Sequence, residues 1–308
     1  MQTVLTSLAP IFLLILGGYA FKRASFPGRD FWPLAERLTY YVLFPALLVD
    51  KLGSADLSGL PVAGLAASLA TAVLLVSGAL VAMRKAAHPF GPAFTSVFQG
   101  SIRPNTYVGL SAAWAMLGGE GVALSAVALM TLIPLVNVLC VTVLNHFGLG
   151  STGRLRQVPG NLLRNPLILA CLAGIALNAS GTELPRVATD ILDVLGGASL
   201  PLGLLAVGAG LRFGRLRRDA RGIAASSVLK LLVLPLAAVL LGLAFGVHGP
   251  SLTVAALFTA IPASVSSFIL ARQLGGDHEL MASIITFQTL AAAATMPLLL
   301  SLLSPLWT

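Results

Sequence analysis

Long apolar segments separated by short polar stretches recur along the whole of this chain. A helix that crosses a lipid bilayer needs about 20 consecutive apolar residues, so runs of this length predict membrane-spanning helices. The polar stretches between the runs are too short to form an appended globular domain. The pattern predicts ten spans, which lie near residues 4–21, 31–49, 60–83, 92–117, 120–147, 161–179, 187–211, 222–245, 250–272 and 278–303.

The composition supports this interpretation. The chain is 57% hydrophobic and 10% charged, whereas about 25% of the residues of a soluble domain are charged. The first apolar run precedes Lys22 and Arg23, which is the wrong order for a cleaved signal peptide. Cys140 and Cys171 lie inside apolar spans and are interpreted as small core residues. The predicted fold class is an all-α polytopic membrane protein, which excludes soluble, secreted and disulfide-scaffold classes.

The distribution of positive charge predicts the orientation of the spans. Most of the 19 lysines and arginines lie in or beside odd-numbered loops, and the loop between spans 7 and 8 carries five of them. Because cytoplasmic loops are enriched in lysine and arginine, the odd-numbered loops are predicted to be cytoplasmic and both termini to lie outside. The net charge of +8 therefore reflects topology in a multi-pass protein of the plasma (inner) membrane, and no nucleic-acid partner is expected.

The pattern of proline and glycine positions among the predicted spans occurs twice along the chain, with an offset of about 156 residues. The matched pairs are Pro10 and Pro166, Gly18 and Gly174, Pro45 and Pro201, and the Leu-Gly-Gly tripeptides at 117–119 and 274–276. Each half holds five spans, an odd number, so the second half enters the membrane upside down. The sequence predicts a 5+5 inverted repeat, with residues 1–150 as the first unit and 151–308 as the second.

Spans 4 and 9 are each interrupted near their middle by a proline. Pro104 and Pro262 remove a backbone donor and bias the preceding residue away from helical geometry. Broken backbone at membrane depth persists only where protein buries it or where it lines a wet cavity. Paired breaks in corresponding segments indicate a transporter's binding site. The predicted substrate-binding residues are Arg103, Pro104, Asn105, Thr106, Pro262, Ser264, Ser266 and Ser267.

Arg103 is the most informative of these residues. It lies about eleven residues into span 4, roughly 16 Å deep at the rise of an α-helix. An arginine at that depth is costly and indicates function, and its planar fork suits a carboxylate. The alternative is an internal ion pair or a cap on backbone carbonyls. No mid-membrane acid stands out as its partner, which favours a carboxylate-bearing substrate.

Other polar residues within the spans have two interpretations each. Asn137 and Gln288 either line a cavity or form hydrogen bonds between helices. Lys230 either neutralises a substrate carboxylate or a coupling acid, or extends to the cytoplasmic surface. Asp193, three residues after Asp190, is either a proton carrier or part of a solvated helix entrance.

The remaining charged and titratable residues suggest no further site. Glu36 and Arg37 are adjacent opposite charges near one end of span 2, which is typical of a membrane interface. The four histidines lie at span ends, and their spacing matches no metal site. We therefore expect neither a bound metal nor a cofactor.

Five segments resemble bacterial members of the auxin efflux carrier family: FxxxxRPNTYVGL from 98, NPLILACLAG from 165, LPLGLLAVGAGL from 200, LKLLVLP from 229 and AIPASVSSFILARQLGGD from 260. The resemblance implies ten helices in two inverted repeats, a fold related to the bile acid:sodium symporters. It also implies that the discontinuous helices 4 and 9 cross. The crossover prolines of the family match Pro104 and Pro262, and its crossover asparagine matches Asn105.

The resemblance also implies a mechanism. A transport domain (helices 3–5 and 8–10) would move against a scaffold (helices 1, 2, 6 and 7), and the scaffold would form a homodimer. Bacterial relatives are usually described as malate or malonate permeases, and plant relatives export auxin. The chain is therefore expected to be a secondary active transporter that moves small organic anions by an elevator-type mechanism, in contact with membrane lipid.

The residues leave the driving force and two alternatives open. No GxxxxGK[ST] motif is present, so ATP is not expected to drive transport. Hydroxyl groups and unwound carbonyls could bind Na⁺, and the aspartates could carry H⁺. A non-transporting membrane sensor is one alternative, although no soluble output domain supports it. An intramembrane enzyme is the other, but the spans lack a Ser–His, paired-Asp or HExxH pattern, so no enzymatic activity is expected.

Overall fold

The computed structural model describes residues 2–28, 30–54, 62–84, 90–149, 165–182, 184–212, 219–303 and 305. Within these ranges the chain is all-helical and forms no β-strand, as the apolar runs predict. Pro104 and Ala263 form an isolated antiparallel bridge. Several of the lysines and arginines used to predict the orientation lie outside the described ranges, at positions 29, 85, 154, 156, 164, 215, 217 and 218.

The described helices of the first half overlap the residue ranges predicted for spans 1 to 5. A π-helical turn, Thr39–Leu43, joins two shorter helices into one continuous helical segment for span 2. Gly118 adopts φ 59° and kinks the longest helix between the predicted spans 4 and 5. The helices are α1 (Gln2–Arg23), α2 (Phe31–Leu38), α3 (Phe44–Gly53), α4 (Val62–Ala82), α5 (Gly91–Ile102) and α6 (Thr106–Phe147).

The helices of the second half overlap the residue ranges predicted for spans 6 to 10, and residues 161–164 of span 6 lie outside the described ranges. A second π-helical turn, Leu229–Val233, continues one helix into the next within span 8. Gly275, at φ 74°, ends the helix after the second break. The helices are α7 (Pro166–Ser180), α8 (Arg186–Gly210), α9 (Ala220–Val228), α10 (Leu234–Ala244), α11 (Gly249–Ala260), α12 (Ser266–Leu274) and α13 (His278–Leu303).

Six helical segments in the described part of the chain are long and apolar enough to cross a membrane. They are Val4–Arg23, Val62–Ala82, Thr106–Phe147, Arg186–Gly210, Ala220–Ala244 and His278–Leu303. Together with the apolar composition, these helices identify the chain as an integral membrane protein.

The helices pack in two groups. In the first group α1 packs against α8, and α3 packs against both α7 and α8. In the second group α10 packs against α4 and α11, and α11 packs against α6. The two breaks belong to the second group, and α2 with its π-helical turn packs against α8 of the first.

Glycines allow the closest backbone approach in the first group. A Cβ atom at Gly18 would lie 1.9 Å from the carbonyl oxygen of Leu205, and one at Gly208 would lie 1.7 Å from that of Ile15. Both distances are far below van der Waals contact, so these positions of α1 and α8 accept no side chain. Small residues at such contacts let membrane helices pack closely without a hydrophobic driving force.

Candidate functional site

The two helix breaks hold each other in place. Helix α5 ends at Ile102 and helix α11 ends at Ala260, and the residue that follows each helix is extended. The amide of Asn105 donates to the carbonyl of Pro262 at 2.9 Å, and the amide of Ser264 donates to the carbonyl of Arg103 at 3.2 Å. Polar backbone groups that the prolines release from the helices are thus satisfied by the opposite break.

Gln288 of α13 braces this pairing and is fully buried. Its Oε1 accepts from the amide of Ala263 at 2.9 Å. Its Nε2 donates to the carbonyl of Gly100 at 3.1 Å and to Oγ of Ser226 at 3.2 Å. Gln288 therefore links α13, α5, α9 and the second break. Of its two interpretations, these contacts favour hydrogen bonding between helices over lining of the cavity.

A cavity of about 500 Å³ lies beside the paired breaks. Its wall is formed on one side by α2, its π-helical turn and the start of α7, and on the other by the breaks, α6 and the start of α12. Seven of the residues predicted from the sequence line it: Arg103, Pro104, Asn105, Thr106, Asn137, Ser264 and Ser266.

Two buried hydrogen-bond donors of this wall have no partner in the described structure. Nη1 of Arg103 is one of them, and Nδ2 of Asn105 is the other. The Oδ1 atom of Asn105 caps α6, where it accepts from the amides of Tyr107 at 3.1 Å and Val108 at 3.4 Å. The cap fixes the Asn105 side chain and leaves its amide nitrogen buried without a partner. An unsatisfied buried donor is costly, so this pair indicates a site for an acceptor.

Three helix N-termini add positive electrostatic potential to the cavity. Thr106 and Ser266 are the first residues of α6 and α12, and both line it. Asn165, which also lines it, caps α7 through a bond from the amide of Leu167 at 3.0 Å. Helix N-termini carry partial positive charge, which favours anions. The arrangement is thus suited to bind a small anion.

The remaining predicted residues lie away from the cavity wall. Pro262 and Ser267 are buried in the second break and at the start of α12. Lys230, in the second π-helical turn, is only 1% exposed. It therefore does not extend to the surface, and that alternative is wrong. The Asp193 side chain is 68% exposed and pairs with Nζ of Lys51 at 3.1 Å, as the solvated interpretation expects.

The structure also adds residues that the sequence did not single out. Glu36 and Arg37, interpreted above as interfacial, line the cavity together with Tyr40, Tyr107 and Asn165. Positions 36 and 40 are one helical turn apart and therefore share a face. Two polar residues, Glu36 and Tyr40, on one face of an otherwise apolar span were therefore the sequence signal that could have identified this part of the site. Asn165 at the start of α7 also lines the cavity, and α7 packs against the π-helical turn that contains Tyr40.

No cluster of three or more His, Cys, Asp or Glu side chains with metal-site geometry occurs among the described residues. The lining residues supply cationic, carboxylate, amide, hydroxyl and backbone groups. Such groups are suited to bind and orient a ligand.

Comparison with known proteins identifies the family of this chain. A family model described as membrane transport protein matches residues 3–300. The chain is also 25% identical, over 300 residues and 96% of both chains, to an uncharacterized transporter of Methanothermobacter thermautotrophicus. The family consists of membrane transporters and not of enzymes. The chain belongs to this membrane transport protein family, the auxin efflux carrier family.

Proposed function

We propose that this protein is a secondary active transporter of small organic anions, carboxylates such as malate, malonate or auxin-like acids. One observation carries the proposal. Nη1 of Arg103 and Nδ2 of Asn105 are buried donors without partners, and both residues line one cavity at the paired helix breaks. A carboxylate supplies the acceptor oxygens that such a pair lacks, and charge-assisted hydrogen bonds are the stronger ones.

Size and electrostatics favour the same ligand class. The cavity, about 500 Å³, falls within the range of small-molecule sites. A carboxylate bound between Arg103 and Asn105 would also face the N-termini of α6 and α12, near Ser264 and Ser266. The Asn105 side chain, which caps α6, and the two helix N-termini are fixed before the anion arrives, which limits the ordering cost of binding.

The fold supports the proposed ten-span inverted repeat. Helices α5 and α11 each have 12 residues, begin with Gly-Pro and end at a break. The helical segment after each break ends at a glycine with positive φ, Gly118 in the first half and Gly275 in the second. We propose that spans 4 and 9 cross at the bridge between Pro104 and Ala263.

The packing of the helices supports an elevator mechanism. The group of α1, α3, α7 and α8 corresponds to the proposed scaffold, and the breaks belong to the other group. The cavity lies between the two groups, so a sliding motion would carry an anion held by the breaks past α2 and α7. We propose that the scaffold also forms the contact of a homodimer.

The contacts around the cavity support an inward-facing state. The wall reaches Pro33 and Arg37 at the start of α2, on the side of the predicted cytoplasmic loops. Toward the other side, the rings of Phe44 and Tyr107 stack at 4.9 Å, and Nζ of Lys51 lies 5.4 Å from the ring centroid of Trp114. These contacts close the outer side in the proposed orientation, which places both termini outside.

A thermal-shift screen of the purified protein tests the proposal. A ligand that binds only the folded state raises the unfolding temperature. We expect a rise with malate, malonate or indole-3-acetate in the wild type, with no rise in Arg103→Gln. Arg23→Gln serves as the matched control, because Arg23 is exposed at the end of α1 and away from the cavity. Equal shifts in the wild type and Arg103→Gln would overturn the proposal.

A further inference from the structure

Glu36 places an acidic side chain in the wall of the cavity that contains Arg103. It belongs to α2, and its side chain is half-buried. In the described part of the chain, ion pairs within 4.0 Å connect Lys51 with Asp50 and Asp193, and none includes Glu36. Its neighbour Arg37 follows directly in the helix, and adjacent helix positions do not face each other.

The ionisable groups around Glu36 are few. Arg37, Tyr40 and Tyr41 lie on its own helical segment, and Arg103 and Tyr107 lie across the cavity. Helix α8, which packs on α2, has apolar residues beside Trp32, namely Ala206 and Ala209. The charged residues of α8, Arg186, Asp190 and Asp193, lie in its N-terminal third, and Arg212 follows its C-terminus. Glu36 is thus the one carboxylate among the lining residues described.

The net charge of the occupied cavity depends on the valence of the bound anion. Arg37, Arg103 and an ionised Glu36 give the cavity one net positive charge, which a monovalent anion neutralises. A divalent anion leaves one negative charge in excess, and it brings a second carboxylate into a space that already holds one. Two carboxylates that share a confined site favour a state in which one of them is protonated. Protonation of Glu36 restores neutrality with a divalent anion.

We propose that Glu36 is a proton site of this cavity and takes up one proton from solvent when a dicarboxylate binds. This inference rests on the proposed function and adds to it a coupling ion and a rule for substrate charge. A dicarboxylate binds together with a proton, whereas a monocarboxylate binds without one. Glu36 lies on α2, which belongs to the proposed stationary scaffold. Its proton is therefore exchanged at the surface past which the breaks move.

The test measures proton uptake upon binding directly. Calorimetric titrations at pH 7 in two buffers of different ionisation enthalpy give the number of protons taken up per anion bound. Succinate and butyrate are the probes, because they have equal carbon numbers and differ by one carboxylate. We expect about one proton with succinate in the wild type and none in Glu36→Gln, whose side chain has nearly the same shape. Butyrate should take up none in either protein.

The dissociation constant provides a second measurement. Uptake of one proton makes succinate binding weaken by about tenfold for each unit of pH rise. We expect this slope in the wild type and in Glu36→Asp, which keeps a carboxylate, and a flat profile in Glu36→Gln. Because the ionisation of succinate itself is common to all three proteins, it cancels in the comparison.

The outcomes separate this inference from the proposed function. Succinate binding without proton uptake in the wild type, or equal uptake in Glu36→Gln, would overturn the inference and leave the anion site standing. If the wild type binds neither succinate nor butyrate, both the inference and the proposed function are overturned. Loss of binding in Arg103→Gln, combined with the proton difference at Glu36, would support both.

Discussion

The backbone amide of Asn105 donates to the carbonyl of Pro262 across two helix breaks that are more than 150 residues apart in sequence. Neither break would be stable alone in a membrane, because each would expose polar backbone to an apolar environment. Their pairing places Arg103, Asn105 and the starts of two helices around one cavity. The proposed function depends on this local departure from helical structure.

Closing the first break should impair transport. Pro104→Ala restores a backbone donor at this position and removes the clash of the proline ring with the preceding turn, so α5 can continue past Ile102. We expect protein that is folded and inserted but has at least a tenfold lower transport rate in proteoliposomes. Pro10→Ala is the matched control, because Pro10 is exposed within α1. A wild-type rate in Pro104→Ala would show that the break is not required.

Gln288 should contribute strongly to stability. Gln288→Ala removes three hydrogen bonds and leaves the buried amide of Ala263 without a partner. The expected loss is about 2–4 kcal/mol in the free energy of unfolding, from the usual cost of lost and unsatisfied buried hydrogen bonds. Thermal unfolding in detergent measures it, with the exposed Gln273→Ala as control. A change in Gln288→Ala no larger than that in Gln273→Ala would contradict this role.

The contact between α1 and α8 should not accept a single added methyl group at its closest point. A Cβ atom at Gly208 would overlap the carbonyl oxygen of Ile15, whereas one at Gly197 of the same helix would meet no atom within 4 Å. We expect Gly208→Ala to lower the unfolding temperature markedly. Gly197→Ala should leave it unchanged or raise it slightly, because alanine favours helices by up to about 1 kcal/mol over glycine. Similar unfolding temperatures for the two variants would rule out the close packing.

Labelling should show which side of the membrane the cavity faces. Asn137→Cys lies in the cavity wall, and Asp193→Cys lies at an exposed position on α8. In a background that lacks Cys140 and Cys171, a membrane-impermeant maleimide should reach position 137 from the cytoplasmic side and position 193 from outside. Labelling of position 137 only from outside would contradict the inward-facing state, and labelling of position 193 from the cytoplasm would reverse the orientation.

Much of the fold followed from local patterns in the sequence. Apolar run length predicted the helices, and Pro104 and Pro262 predicted the breaks. Arg103 and Asn105 were identified because a charge and an amide beside a proline are unusual at membrane depth. These signals are readable because each depends on neighbouring residues alone.

The parts of the site that the sequence missed depend on tertiary contacts. Glu36 resembles an interfacial residue until the fold places α2 and the breaks in the wall of one cavity, which Glu36 and Arg103 then both line. Gln288 and Lys230 could not be assigned for the same reason. A polar residue in an apolar helix either binds a neighbouring helix or faces a cavity, and the sequence of that helix does not distinguish the two.

The most direct test of the central claim is counterflow in proteoliposomes. Vesicles that contain the wild-type protein and are loaded with unlabelled malate, malonate or indole-3-acetate are diluted into the same labelled anion. We expect accumulation of label for at least one of these carboxylates, and a reduction of about tenfold or more in Arg103→Gln, the loss that one charge-assisted hydrogen bond accounts for. No accumulation of any carboxylate in the wild type, or equal accumulation in Arg103→Gln, would contradict the account.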